Sequence, residues 1–260
     1  MAYTPFDLTG KVALITGGNG GIGLGMAEAL AQAGASVSIW GARAEKTADA
    51  HKKLEGYGGK VHSLVADVAD EAQVVKGMAE TIEALGRVDF VCANAGRGRG
   101  AASFTEMTTE TWRYNTLLNL DGAFWTLREA AKHMLERAKA GDPGGSLAVT
   151  ASLAAREAAA RNQAYAATKA GVIAMMRGIA VEYARYGVRA NSILPGWIAT
   201  EMTQAAQDND KFTTNVITRV PMRKWGEPED FGGIAVYLAS DASKFHTGDE
   251  FLIDGGYAIF

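Results

Sequence analysis

The sequence predicts an α/β fold, a single doubly wound domain in which helices flank a parallel seven-stranded sheet. Two observations predict it. Short apolar runs alternate along the chain with longer segments whose apolar residues have helical spacing, and this order implies parallel strands joined by crossover helices. The short runs are also apolar along nearly their whole length, which is typical of strands buried on both faces.

Seven runs are short and rich in β-branched and apolar residues, as strands are. In chain order they span residues 12–16, 37–40, 61–65, 88–93, 146–150, 189–194 and 250–253. Ligands of such sheets bind beyond the carboxyl ends of the strands, so the residues that follow each run are candidates for a binding site. No shift in composition marks a second domain, and we expect residues 1–260 to form one.

Six segments between these runs have the apolar spacing of helices. They span residues 22–33, 44–57, 71–85, 109–138, 163–186 and 228–238. Segment 197–221 breaks the alternation because it is long, polar in its middle and placed after a strand end. A mobile substrate flap and an inert surface insertion are both open interpretations, and the position after a strand favours the flap.

The composition excludes several classes of protein. The 260 residues are 48% hydrophobic and 21% charged, which suits one large core without disordered tracts. A net charge of −3 argues against a nucleic-acid surface. No apolar run approaches the roughly 20 residues that span a bilayer, and residues 1–7 lack the order of a signal peptide. Cys92 is the sole cysteine, so we expect a cytoplasmic protein without disulfides, membrane or nucleic-acid partners.

A glycine-rich turn directly follows the first run. Its sequence is Thr16-Gly17-Gly18-Asn19-Gly20-Gly21-Ile22-Gly23. Glycine permits positive φ angles and a close approach of phosphate, and free N–H groups at the start of the next helix attract a pyrophosphate. A Walker-type loop is excluded because no Gly-Lys-Ser/Thr closes the turn. A tight turn without a ligand is the alternative, which the position after the first strand disfavours.

The spacing of Thr16, Gly17, Gly21 and Gly23 resembles the cofactor turn of the short-chain dehydrogenases/reductases. The resemblance extends over nearly the whole chain and implies a Rossmann-type fold and an NAD(P)(H)-dependent oxidoreductase. Asp254-Gly255-Gly256 resembles the closing turn of the family. Ala93 stands where the family usually has a second Asn, which weakens one structural hydrogen bond.

Further motifs assign cofactor contacts by the same resemblance. Asp67-Val68 resembles the adenine-contacting pair, Asn94-Ala95-Gly96 the Asn-Ala-Gly turn, and the segment from Pro195 to Thr200 the Pro-Gly segment beside the nicotinamide. The residues expected to bind the cofactor are Gly17, Asn19, Gly20, Gly21, Ile22, Gly23, Arg43, Asp67, Val68, Asn94, Ala95, Gly96, Tyr165, Lys169, Pro195, Gly196, Ile198 and Thr200.

Three side chains carry the chemistry that we expect. Tyr165 and Lys169 lie four residues apart on a predicted helix and share one face, and Ser152 follows the fifth strand. Reduction of a carbonyl needs a proton donor for the alkoxide, and the reverse reaction needs a base. Tyrosine has an ordinary pKa of about 10, and a nearby ammonium should lower that pKa towards the working range. Ser152 can donate to the carbonyl oxygen while charge builds there.

The resemblance sharpens these roles. It implies that Tyr165 is the acid/base, that Ser152 positions the substrate, and that Lys169 both tunes Tyr165 and holds the nicotinamide ribose. Asn119 matches the asparagine that holds a water in the proton relay. Asn115, one turn earlier, is its rival from the residues alone, and the register set by Trp112 and Gly122 favours Asn119. An ordinary surface pair is the alternative for Tyr165 and Lys169, which Ser152 and the glycine turn disfavour.

Cofactor choice depends on the end of the second strand, where a carboxylate would bind the ribose hydroxyls of NAD. No carboxylate ends this strand, and Arg43 could pair with the additional phosphate of NADP. NADP is therefore favoured. Glu45 is nearby and the glycine turn lacks a basic residue between its glycines, so NAD stays open.

Other conspicuous residues receive simpler interpretations. Cys92 lies in an apolar strand and is expected in the core, and the four histidines lack metal-ligand spacing, so we predict no catalytic metal. Arg97 and Arg99 follow the Asn-Ala-Gly turn. They could bind an anionic substrate or be solvated loop residues.

The function predicted from all of this is interconversion of a secondary alcohol and a ketone by a short-chain alcohol dehydrogenase/carbonyl reductase. A catalytically silent nucleotide sensor or scaffold on the same fold is the alternative, which the intact tetrad of Ser152, Tyr165, Lys169 and Asn119 disfavours. An enoyl-type reductase is a further one, and the four-residue step from Tyr165 to Lys169 argues against it. The resemblance implies a homotetramer or homodimer assembled through the helices at 109–138 and 163–186, often with the last strand. The apolar residues 257–260 suggest a buried tail.

Overall fold

Parallel strands form the centre of the molecule in the computed structural model, which describes residues 4–260. Residues 1–3 of the predicted domain lie outside the described residues. The strands are β1 (Val12–Thr16), β2 (Ser36–Gly41), β3 (Val61–Val65), β4 (Phe90–Ala93), β5 (Gly145–Thr150), β6 (Val188–Pro195) and β7 (Glu250–Ile253). Their order is β3-β2-β1-β4-β5-β6-β7, and each neighbouring pair is parallel. The predicted parallel seven-stranded sheet is confirmed.

Helices cover both faces of this sheet. They are α1 (Gly21–Gln32), α2 (Ala44–Glu55), α3 (Glu71–Leu85), α4 (Thr109–Thr116), α5 (Gly122–Lys139), α6 (Gln163–Tyr183), α7 (Gln204–Gln207), α8 (Asp210–Arg219) and α9 (Gly232–Ala239). One apolar layer packs α1, α2 and α9 against the sheet, and the other packs α3, α5 and α6. Because both faces are covered, the strands are apolar throughout rather than alternating.

The fourth strand begins two residues later than the sequence predicts. Residues 88–89 precede β4, although the backbone of Asp89 bonds to Val12 and Ser146 of the two neighbouring strands. The carboxylate of Asp89 also accepts the N–H of Val12 at 2.9 Å. The guanidinium of Arg87 closes over the same carboxylate at 2.7 Å. The Asp89 side chain thus adds a bond at the start of β1 to those that the backbone makes, and strand propensity alone does not reveal it.

The helix predicted over residues 109–138 is also more complex. Between α4 and α5 the residues Leu117–Asp121 are wound as a π-helix, and such bulges are frequently found at functional sites. Segment 197–221 contains α7 and α8, which the alternation of apolar runs did not predict. The Trp197 ring packs edge-on against Phe212 of α8, with ring centroids 5.2 Å apart.

Within residues 4–260, no helix is both long and apolar enough to cross a membrane.

Candidate active site

The carboxyl ends of β1, β4 and β5 are held together by one asparagine. The side-chain amide of Asn94 donates to the carbonyl of Thr16 at 3.0 Å, and the Thr150 hydroxyl donates to Asn94 Oδ1 at 2.9 Å. The Thr16 hydroxyl oxygen in turn accepts the N–H groups of Asn94 and Ala95. These bonds fix the sheet edge where a ligand of a doubly wound fold binds.

The glycine turn lies at this edge and has the shape of a phosphate cradle. Gly17 has a φ of 65°, and a Cβ there would lie 3.0 Å from Ala95 Cα. A Cβ at Gly23 would collide with the carbonyl oxygen of Gly17. No side chain caps the N-terminus of α1, which starts after Gly20. Its N–H groups are therefore available to an anion, and the turn fits a pyrophosphate.

Ser152, Tyr165 and Lys169 come together in front of β5. Lys169 is buried and its ammonium donates to the Thr150 carbonyl at 2.7 Å, which holds Nζ 5.5 Å from the centre of the Tyr165 ring. Tyr165 hydrogen-bonds with Ser152. The Ser152 Oγ accepts the N–H of Ala154 at 3.1 Å, a bond that does not use its hydroxyl proton. The predicted catalytic residues thus share one site.

Burial determines the protonation states of Tyr165 and Lys169. It raises the pKa of Tyr165, and the hydrogen bond with Ser152 only partly opposes the shift. The expected lowering of this pKa by Lys169 is not found in the free protein, where desolvation of the buried phenolate is the largest effect. Burial also lowers the pKa of Lys169 to about 8. Tyr165 is therefore a protonated donor at neutral pH.

Two asparagines bind the loop after β4, Asn115 from α4 and Asn119 from the π-helix. Asn119 Oδ1 accepts the N–H of Arg97 at 2.8 Å, and its amide donates to the Arg97 carbonyl at 2.9 Å. Asn115 makes the same pair of bonds to Arg99, at 3.2 and 2.9 Å. A Cβ at Gly96 would lie 2.8 Å from Asn119 Oδ1 and 3.1 Å from Lys169 Nζ. Asn119 thus lies beside the lysine, whereas Asn115 lies further along the loop.

Three charged side chains meet beyond the end of β2. The Arg43 guanidinium pairs with both carboxylate oxygens of Glu201 at 2.7 and 2.6 Å, and Lys46 Nζ binds the same carboxylate at 2.7 Å. These two cations lower the pKa of Glu201 to about 2. A Cβ at Gly20 would collide with Lys46 Nζ. Lys46 of α2 therefore supplies a positive charge beside the glycine turn.

The other expected cofactor residues line the same edge. Asp67 is exposed and its carboxylate accepts the N–H of Ala69 at 3.0 Å, while Val68 is buried. Asn19 donates to the Thr47 hydroxyl at 2.9 Å. Several of the remaining expected residues lie at the carboxyl ends of β1, β4 and β6 or directly follow them, namely Gly17, Asn94, Ala95, Gly96, Pro195 and Gly196.

The segment after β6 crosses over to the glycine turn. Gly196 donates to the Ile253 carbonyl at 2.9 Å, and Ile198 is buried. A Cβ at Gly21 would lie 3.3 Å from Thr200 Cγ2. Thr200 and Glu201 thus reach from the end of β6 to the phosphate cradle.

The two loop arginines differ in their environment. The Arg99 guanidinium lies 4.1 Å from the centre of the Tyr114 ring and 3.6 Å from a Glu110 oxygen. Arg97 is exposed, and no ion pair to its guanidinium is found within residues 4–260. Cys92 is fully buried, and burial raises the pKa of its thiol to about 12, as expected for a core residue.

Sequence reasoning missed Lys46 and Glu201. Lys46 lies on a helix after the second strand, outside the glycine turn where a basic residue was sought. Glu201 is 155 residues away from Lys46 in the chain. Only the fold brings these two charges together, although the Thr200-Glu201 step at the end of the Pro-Gly segment marked where a side chain could reach the cofactor.

Comparisons with known proteins agree with this architecture. A family model described as "Enoyl-(Acyl carrier protein) reductase" matches residues 17–258. The chain is 34% identical over 254 residues to gluconate 5-dehydrogenase of Gluconobacter oxydans, covering 98% of this chain and 97% of that protein.

Solved structures give the same result. A short-chain type dehydrogenase/reductase from Mycobacterium marinum is 32% identical, with a TM-score of 0.92 and 99% of each chain covered. A gluconate 5-dehydrogenase from Burkholderia cenocepacia, solved with NADP and tartrate, is 34% identical with a TM-score of 0.91, and 98% of this chain and 97% of that chain are covered. The chain therefore belongs to the short-chain dehydrogenase/reductase family of NAD(P)-dependent oxidoreductases.

Proposed function

We propose that the protein interconverts a secondary alcohol and a ketone on a small polyhydroxy acid, with NADP(H) as the favoured cofactor. The observation that carries the proposal is the arrangement of Ser152, Tyr165 and Lys169 at the carboxyl edge of the sheet. A protonated tyrosine beside a serine hydroxyl suits a carbonyl oxygen that gains negative charge.

Each side chain has a role that its contacts support. Ser152 donates its hydroxyl proton to the substrate oxygen and fixes its position. Tyr165 transfers its phenolic proton to that oxygen during reduction and takes it back during oxidation. Lys169 is held over the Tyr165 ring by the Thr150 carbonyl, close to where a nicotinamide ribose would lie. Asn119 fixes the adjacent loop at Arg97, and by family resemblance it holds a water that relays the proton.

The residues present fit a dinucleotide. The uncapped start of α1 and the backbone of the glycine turn, where a Cβ at Gly17 would approach Ala95, suit its pyrophosphate. The family resemblance assigns Asp67 and Val68 to its adenine. When bound, the nicotinamide supplies or accepts the hydride. The four-residue step from Tyr165 to Lys169 supports carbonyl chemistry rather than reduction of a C=C bond, despite the description of the matching family model.

Two cations support NADP over NAD. Arg43 and Lys46 converge on one carboxylate at the end of β2, which is where the ribose phosphate of NADP would bind. Lys46 also supplies the basic group that the glycine turn itself lacks. A phosphate carries about −1.5 to −2 charges at pH 7 and has three acceptor oxygens, so two cations suit it well.

The test of cofactor preference compares kcat/KM for NADP and NAD in the wild type and in Arg43→Ala. We expect the wild type to favour NADP and the variant to lose about tenfold or more of that preference, since a charged hydrogen-bonded contact is removed. Arg177→Ala, which removes an exposed arginine of α6 that is bound to Glu250, is the control. A wild-type preference for NAD that Arg43→Ala leaves unmoved would contradict the assignment.

The substrate class follows from Arg97 and from the relatives. Gluconate 5-dehydrogenases recur among them, and one was solved with tartrate, a hydroxy acid. Arg97 lies in the loop that Asn119 holds beside Tyr165, and its guanidinium is exposed. Arg99 is already engaged by Tyr114 and Glu110. We therefore assign carboxylate recognition to Arg97.

Replacement of each arginine by alanine tests this assignment. Arg97→Ala should raise KM for hydroxy acids by about tenfold or more while KM for neutral polyols changes little, because one charged contact is lost. Arg99→Ala is the matched control and should affect both substrate classes alike. If Arg97→Ala changes KM equally for acids and neutral alcohols, Arg97 is a solvated loop residue that does not bind the substrate carboxylate.

Three further features stay predictions from the sequence. They are assembly as a homotetramer or homodimer, a cytoplasmic location, and the role of segment 197–221 as a substrate flap. The flap is supported by the aromatic contact between Trp197, which directly follows the Pro-Gly segment, and Phe212 of α8. Assembly is supported by apolar side chains that lie exposed on α5 and α6, including Phe124 and Val181.

A further inference from the structure

The carboxylate of Glu201 fills the site that the cofactor phosphate would need. Both of its oxygens are bound by Arg43, and one is also bound by Lys46. Arg43 and Lys46 come from the end of β2 and the start of α2, whereas Glu201 comes from the segment after β6. The contact thus spans the mouth of the cofactor cleft, next to the glycine turn.

The geometry of this contact is that of an anion site. A planar guanidinium holds two oxygens at 2.7 and 2.6 Å, and an ammonium approaches one of them at 2.7 Å. Arginine binds phosphate through the same two-pronged arrangement. The Glu201 carboxylate therefore occupies the anion site that Arg43 and Lys46 form, as an internal substitute for phosphate.

We propose that Glu201 is a specificity-determining residue that competes with the 2′-phosphate of NADP for Arg43 and Lys46. This inference rests on the proposed preference for NADP(H). NAD has no group for these cations, so its binding leaves the carboxylate in place. NADP must displace the Glu201 carboxylate, so the affinity for NADP is lowered by the free energy of the broken contact between Glu201 and the two cations.

The charges of the Glu201 carboxylate and the ribose phosphate determine which of them binds Arg43 and Lys46 more tightly. Glu201 brings one negative charge, whereas the ribose phosphate brings about −1.5 to −2 and an additional oxygen. The carboxylate is half-exposed, with 52% of its side chain accessible, so the contact is screened by solvent and is weaker than a buried pair. Phosphate therefore displaces Glu201, but with lower affinity than an unoccupied pair of cations would give.

The experiment measures binding of two small probes, adenosine 2′,5′-bisphosphate and adenosine 5′-monophosphate, by calorimetry. The two differ by the ribose phosphate and lack the nicotinamide, so binding is separated from catalysis. Glu201→Gln removes the charge and keeps the shape of the side chain. We expect it to tighten the bisphosphate by about fivefold, in line with an exposed pair of charges, and to leave the monophosphate unchanged.

Two further variants make the result specific. Glu83→Gln removes one negative charge from the last turn of α3, near the start of β3 and far from the cleft, and should change neither probe. Arg43→Ala should weaken the bisphosphate alone. If Arg43→Ala has that effect but Glu201→Gln does not tighten the bisphosphate, the competition is refuted while the NADP assignment stands.

The remaining outcomes are also decisive. If Arg43→Ala affects both probes equally, the NADP assignment itself fails. If Glu201→Gln weakens both probes, Glu201 holds the bound nucleotide in place, and the competition is refuted. Equal tightening of both probes would show that Glu201 obstructs entry of any nucleotide, which also overturns a role in discrimination.

Discussion

At the scale of single residues, the active site contains a buried lysine whose charge lowers the stability of the protein. Burial lowers the pKa of Lys169 from 10.5 to about 8, so the folded protein binds this proton less tightly than the unfolded chain. Below pH 8 both states are protonated and the full cost applies. The cost falls as pH rises from 8 to 10.5, because the unfolded chain then binds the extra proton.

Lys169→Met tests this cost. The shift corresponds to on the order of 3 kcal/mol, and loss of the bond to the Thr150 carbonyl offsets about 1 kcal/mol of it. The variant should therefore be more stable at pH 7 and lose its advantage above pH 10, while turnover and dinucleotide binding both fall. Thermal or urea unfolding of both proteins across this pH range measures the difference. If the difference in unfolding free energy between the wild type and Lys169→Met does not change with pH, the assignment of the buried ammonium is wrong.

Tyr165→Phe isolates the proton transfer. It removes only the phenolic hydroxyl, so we expect kcat to fall by about 100-fold or more while dinucleotide affinity stays nearly unchanged. Steady-state kinetics and fluorescence titration of the cofactor measure the two quantities. Substantial remaining turnover would show that another group supplies the proton.

At the scale of elements, α4 and the π-helix Leu117–Asp121 each hold the loop after β4 through one asparagine. Residues 115 and 119 are four apart, a spacing that places them on one side of a helix. Asn115 binds the backbone of Arg99, and Asn119 binds the backbone of Arg97. The sequence identified both asparagines as candidates, but it did not show the change in winding, since one five-residue π-helix alters the apolar spacing of a long helical segment very little.

Alanine variants of the two asparagines separate structure from catalysis. Asn115→Ala and Asn119→Ala each leave backbone groups of the loop without partners and should destabilise the protein by about 1–3 kcal/mol. Only Asn119→Ala should also greatly lower kcat, because Asn119 lies beside Gly96 and Lys169. Unfolding and kinetics, both measured where each variant is folded, provide the comparison. If Asn115→Ala lowers kcat as much as Asn119→Ala does, turnover depends on the loop as a whole and not on Asn119 in particular.

Prediction from the sequence was most successful where one local pattern determines the structure. Apolar runs located the strands because burial on both faces leaves that signature, and the glycine turn located the cleft because backbone shape requires those residues. Contacts between distant segments left no such pattern. The pairing of Lys46 with Glu201 and the position of Asp89 beside Val12 depend on side chains that only the folded chain brings together.

At the scale of the whole molecule, two long helices and the tail carry apolar side chains that a single chain leaves exposed to water. Val181 on α6 is 85% exposed and Phe124 on α5 is 43% exposed, and these helices belong to the two segments through which the family resemblance implies assembly. The tail was expected to be buried, yet within one chain Ile259 and Phe260 are exposed. Burial of exposed apolar side chains is favourable, so we expect a second copy of the chain to cover these helices and the tail.

Light scattering at micromolar concentration should therefore give a mass of two or four chains. Val181→Glu places a charge in the expected helix interface and should shift the mass towards the monomer, because an unpaired charge is costly to bury between apolar surfaces. Val75→Glu is the matched control, since Val75 is also exposed but lies on α3, outside the two long helical segments. It should leave the mass unchanged. A wild type that scatters as a monomer would contradict assembly, and equal dissociation by both variants would place the interface elsewhere.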